Sequence, residues 1–188
     1  MQKKIIIILI ILISSSASVW FFGLFPVTRV NGDYILYRTY NGRVNALERF
    51  ETKNRIVAGN ASLTPAERKE IRKFILQNLI MEHVFWQYTE EHAAFSDIKE
   101  SADAVVASTL KEADPNILPQ ATKEVYGWSI DEFKENILFP QAFQNQLREA
   151  IERDGISFDE FARTQITNAQ VRVYAVPWKW ENGGLMEK

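Results

Sequence analysis

The segment that opens with Thr64-Pro65-Ala66-Glu67 most constrains how this 188-residue chain folds. Thr64 is placed to cap a helix, Pro65 fits its first position, and Glu67 completes a capping box by reaching back to the Thr64 amide. The spacing predicts a helix from Pro65 to about Glu91. On a 100° wheel, Ile71, Phe74, Ile75, Leu79, Met81, Phe85, Trp86 and Tyr88 cover a broad arc, with Leu76, Ile80 and Val84 opposite. A helix that is apolar nearly all round must be surrounded by other elements, so the chain is predicted to be mainly helical, with this segment central. Glu82 and Asn78 fall inside the arc at i, i+4 spacing and are expected to bond each other or a nearby backbone.

The same capping device recurs as Ser129-Ile130-Asp131-Glu132 and Ser157-Phe158-Asp159-Glu160, with Gly127 and Gly155 where C-terminal caps belong. These signals predict helices from Ile130 and from Phe158. In the first of them Ile130, Phe133, Ile137, Leu147 and Ile151 form a stripe, while Leu138, Phe139 and Phe143 lie off it and Pro140 interrupts the amide ladder. Such a helix is expected to kink, and either packs between two layers or lends one apolar side to a guest. Further helices are expected near Asp97 to Glu112 and Ile117 to Tyr126. The chain closes on QVRVYAVPWKW, whose alternation reads as a strand. An early strand in VTRVNGDYI has to satisfy its own ladder groups, so a two-stranded sheet pairing the two ends is expected. Trp178 and Trp180 share one face of the late strand, either closing that sheet or holding apolar peptides.

Ile5 to Phe25 holds 21 uncharged residues after Lys3 and Lys4. As a helix it would span about 31 Å, against a hydrocarbon core of about 30 Å. Residues 1–26 are therefore expected to form a transmembrane anchor, with 27–188 as an extracytoplasmic domain. A cleaved signal peptide is the rival reading, with Ser16-Ala17-Ser18 as a small-residue cleavage site.

Chemistry finds little purchase. With 22 basic and 24 acidic residues and no basic stripe, nucleic acid is a poor partner. Cysteine is absent, which excludes disulfides and thiolate chemistry. His83 and His92 stand nine apart without H-E-x-x-H spacing, so no metal is expected. The acidic pairs Asp131-Glu132 and Asp159-Glu160 lie in first helical turns, where the helix dipole favours them. No nucleophile, phosphate loop, cofactor or small-molecule substrate is indicated, and the chain is not expected to be an enzyme.

Taken in order, the apolar N-terminus, Val30-Asn31-Gly32, the Leu-Ile-x-Glu segment Leu79 to Glu82, and the start marked by Gly127, Ser129 and Phe133 resemble the N-terminal chaperone region of the SurA-like folding factors, a group that includes the membrane-anchored PpiD and the PrsA proteins. The resemblance spans roughly residues 27 to 176. It implies a helical cradle that holds unfolded or newly translocated polypeptide at a membrane without ATP, with Leu138, Phe139, Phe143, Trp178 and Trp180 as client contacts. Many such proteins continue into a parvulin-type isomerase domain, whereas 12 residues follow Val176 here. The resemblance therefore implies the chaperone part alone. The alternatives are a tethered adaptor docking one partner, or a non-catalytic partner of a prolyl isomerase.

Overall fold

The structure, a computed structural model, describes residues 22–188. Strands β1 (Pro26–Val30) and β2 (Asp33–Leu36) form a hairpin that runs directly into helix α1 (Tyr37–Val57). Helix α2 (Pro65–Glu91) follows, then a 3-10 turn at Ala93–Phe95, α3 (Ile98–Glu112) and α4 (Leu118–Val125). The next helix is continuous but changes pitch: α5 (Ile130–Phe133), a π turn (Lys134–Leu138) and α6 (Phe139–Arg153). Helix α7 (Phe158–Asn168) leads to β3 (Val171–Val173) and the hairpin β4 (Trp178–Glu181) and β5 (Gly184–Glu187).

Two of the three sequence caps are built as their residues dictate. Thr64 Oγ1 accepts from the Glu67 amide at 3.3 Å while the Thr64 amide donates to Glu67 at 2.8 Å. Ser129 and Glu132 repeat the exchange at 3.2 and 2.8 Å. Ser157 makes no side-chain cap, and Asp159 and Glu160 are left to complement the first turn of α7. At Gly155, φ is +79° and the Ile156 amide returns to the Ile151 carbonyl at 3.3 Å, ending α6 in the left-handed turn that glycine alone adopts cheaply.

The Thr64 amide and hydroxyl, together with Arg55, hold the Glu67 carboxyl down at about 2. A carboxyl depressed in the fold stabilises it above its unfolded value and loses that contribution as pH falls. Wild type is therefore expected to shed the Glu67 contribution between about pH 4.5 and about 2. Thr64→Ala should cost about 1 kcal/mol at neutral pH and show a flatter acid limb, read by urea unfolding along a pH series.

Helix α2 is central: it packs on α1, α6, α7, β1 and β5. Leu76, Leu79, Ile80, Val84 and Phe85 are buried along it, joined by Val27, Val30 and Ile35 of the sheet and Leu147 and Ile151 of α6. Phe74 departs from the expected arc and is 56% exposed.

Three expectations are corrected. The proposed membrane span falls largely on residues 1–21, outside the described residues. Its last part, Phe22 to Phe25, is not helical. Gly23 sits at φ +63°, its carbonyl and that of Phe25 accept from the Arg38 and Tyr37 amides at 2.9 and 2.8 Å, and Phe25 stacks on Tyr37 at 4.8 Å. These residues cap the start of α1 instead of extending a span. Among the described residues no helix is long and apolar enough to cross a membrane, because even α2 carries charges along its length. The single-pass assignment is corrected on that ground.

The two-stranded sheet is corrected to three strands in the order β2-β1-β3, because β1 offers both edges: Arg29 faces Tyr34 on β2 and Arg172 on β3. The single closing strand is corrected to two. Val176 turns back onto the Tyr174 carbonyl at 2.6 Å and Pro177 has no amide to continue the ladder. The chain then re-forms as a separate hairpin around Asn182 and Gly183, both at positive φ as a two-residue hairpin turn requires.

Candidate functional site

Pro140 shapes the site. A proline in a helix lacks its amide and crowds the carbonyl of the preceding turn. Here the turn before it is widened: the Phe139 amide donates to the Lys134 carbonyl five residues back. The extra residue re-aims the side chains that follow, which is how a π turn serves a surface site. Phe139 and Phe143, four apart, come together with ring centroids 6.2 Å apart. Trp86 of α2 meets Phe139 edge-on at 6.0 Å and Phe143 at 5.4 Å. These three rings and Pro140 form the apolar lining of a groove of about 490 Å³ between α2, the π turn and the β1–β2 hairpin. A second hollow of about 250 Å³ shares Glu82, Pro140 and Phe143.

One polar junction fixes the elements around the groove. Arg43 of α1 places Nη1 at 2.6 Å from each Glu82 oxygen and donates from Nε to Asn136 Oδ1 at 3.0 Å. Asn136, in the π turn, donates in turn to the Glu132 carbonyl at 2.8 Å. Glu82 therefore takes an arginine from another helix as its partner, where the sequence spacing suggested Asn78 or a local carbonyl. The Arg43 side chain is 13% exposed, so the pair works in a partly dry setting where it orients α1, α2 and the π turn together.

The rim is acidic. Glu90 accepts from the Trp86 indole at 2.7 Å and Asp33 accepts from Gln87 at 2.7 Å, both bonds to neutral donors that leave the negative charges in place. Glu135 joins them at the edge. Lys99 lies 4.6 Å above the Trp86 ring centroid, a cation seated on the aromatic face. His83 bonds the Leu79 carbonyl at 3.1 Å through Nδ1 and His92 the Tyr88 carbonyl at 2.7 Å, each spending a ring nitrogen on its own helix. Among the described residues no three His, Cys, Asp or Glu side chains are grouped to hold a metal.

Of the five residues singled out in the sequence, Phe139 and Phe143 line the groove. Leu138 is half-buried against the core and does not line it. Trp178 and Trp180 lie elsewhere. Trp178 is 1% exposed and borders a different hollow, of about 370 Å³, with Tyr37 and Tyr40, and Trp180 packs on the core opposite Leu185. The two tryptophans share a face turned largely towards the core, with Trp178 buried and Trp180 partly buried, away from the groove. Trp86, Arg43 and Glu82 were not singled out as site residues. For Glu82 and Trp86 the signal is the series Glu82, Trp86, Glu90 at successive i+4 steps, an acid-aromatic-acid line on one side of the helix.

Set against protein-family models, curated proteins and solved structures, the chain matches none of them.

Proposed function

We propose that the chain is a holdase that takes aromatic and apolar segments of unfolded polypeptide into the groove lined by Trp86, Phe139, Pro140 and Phe143, without ATP and without covalent chemistry. The observation that carries this reading is the open cluster of three aromatic rings around a proline-induced π turn, held by the Arg43–Glu82–Asn136 junction. The sequence resemblance to SurA-like chaperone regions supports the same direction. Apolar contact in the groove gains about 2.5 kcal/mol for each 100 Å² buried, at 25 cal/mol per Å². Association costs take several kcal/mol of the total, leaving the weak, reversible affinity a holdase needs. The acidic rim favours segments whose aromatics are flanked by lysine or arginine.

The full chain is expected to suppress aggregation of chemically denatured clients at near-stoichiometric ratio, measured by light scattering. Phe139→Ser should weaken suppression about tenfold, the loss of one aromatic contact. Phe74→Ser, whose ring is exposed outside the groove, should leave it unchanged. Inactivity of wild type towards several unrelated clients overturns the proposal, and so does equal activity of the two variants.

A further inference from the structure

The three-stranded sheet carries two arginines that lie outside the groove. Arg29 of the central strand stands directly opposite Tyr34 of β2 on one side and Arg172 of β3 on the other, and all three are exposed. Two like charges directly opposite each other across an antiparallel pair destabilise it. A sheet normally answers such a pair with an acid, yet among the described residues no carboxylate lies within ion-pair distance of either arginine. Asp33, the acid next to this hairpin turn, is directed to Gln87.

Arg29 is also held in place. Its Nε donates to the Gly32 carbonyl at 3.1 Å and its guanidinium lies 5.4 Å from the Tyr34 ring centroid, which leaves both terminal nitrogens for another group. Beside the two arginines is a polar hollow of about 330 Å³, bordered by Asn31, Gly32 and Gln170. Asn31 has spent its amide on Gln87 and on the Gln170 backbone, so it fixes the wall and adds no competing charge.

We infer that Arg29 and Arg172 together form a binding site for a phosphate group. A guanidinium presents parallel donors that match the oxygens of an oxyanion. A carboxylate has two oxygens and fills one fork, whereas a phosphate carries enough oxygens and charge to engage both arginines and cancel their repulsion. The structure assigns the group; whether it arrives as free phosphate or on a phosphomonoester is decided by experiment.

Thermal unfolding of the full chain is followed in inorganic phosphate, glycerol phosphate and acetate, each balanced with chloride to the same ionic strength. Wild type is expected to unfold at higher temperature in phosphate than in acetate, with a saturable dependence on concentration. Arg172→Gln should unfold at higher temperature than wild type in chloride, because the repulsion is gone, and should lose the saturable phosphate response. Arg172→Lys keeps the charge and removes the fork, so it should retain the repulsion and bind phosphate about tenfold more weakly. A larger response to glycerol phosphate than to inorganic phosphate identifies a phosphomonoester as the ligand; equal responses identify the free anion. The inference is overturned if phosphate and acetate act alike on wild type, or if Arg172→Gln keeps the saturable response. It is overturned equally if Arg172→Gln unfolds at lower temperature in chloride.

Discussion

Replacing Trp178 by alanine is expected to destabilise the protein by about 3–5 kcal/mol, the cost of emptying a large aromatic site in a core, whereas Trp178→Phe should cost about 1 kcal/mol or less. Both outcomes follow from where the indole sits. Trp178 is 1% exposed on β4, and its Nε1 is buried without a hydrogen-bond partner. An orphaned donor costs about 1–3 kcal/mol to keep dry, so phenylalanine forfeits some contact area but also removes that penalty. Urea unfolding monitored by circular dichroism separates the cases. An alanine variant within about 1 kcal/mol of wild type would show that the ring is not a core element. The pair also isolates stability from binding: Trp178→Phe should hold clients as well as wild type, since the groove lies elsewhere.

Arg43→Ala should cost about 2–3 kcal/mol, at the lower end of what breaking a buried pair costs because Glu82 is partly reached by water. The arginine leaves two unanswered groups, the Glu82 carboxylate and the Asn136 oxygen. Adding Glu82→Gln removes the stranded charge and should restore part of the loss, a coupling of about 1 kcal/mol or more in a double-mutant cycle. Strict additivity of the two substitutions would mean that the junction does not act as a unit. Because the same junction positions the π turn beside Phe139, Arg43→Ala should also impair client holding more than its stability loss alone explains, assayed at a temperature where the variant remains folded.

What the sequence made legible was local. The boxes at Thr64 and Ser129, the glycine stop at Gly155 and the identity of α2 as a surrounded helix are written in residues three or four apart, where side chain and backbone meet without help from the rest of the chain. Pro140 announced a disturbance of the helix, but not that it would take the form of a π turn over Lys134–Leu138. The partner of Glu82 was out of reach for the same reason: Arg43 lies 39 residues away, and no spacing rule connects them. The closing hairpin was accessible in the sequence, because Asn182-Gly183 is a strong two-residue turn signal following an alternating run. A stretch of uncharged residues up to Phe25 suggested a helix long enough to cross a bilayer, yet Gly23 and the carbonyls at 23 and 25 are committed to the start of α1. Hydropathy describes solvent preference, whereas at Gly23 and Phe25 backbone hydrogen bonding decided conformation.

The position of β1 has a consequence for how the protein comes into being on the ribosome. Thr28 bonds the Arg172 carbonyl across 144 residues of chain, so one margin of the first strand stays unzipped until β3 has been synthesised. Loop closure over so long a separation is slow relative to helix growth, and an open strand margin invites pairing with other nascent chains. A protein whose proposed task is to shelter unfinished polypeptides thus passes through a stage in which its own first strand lacks a neighbour.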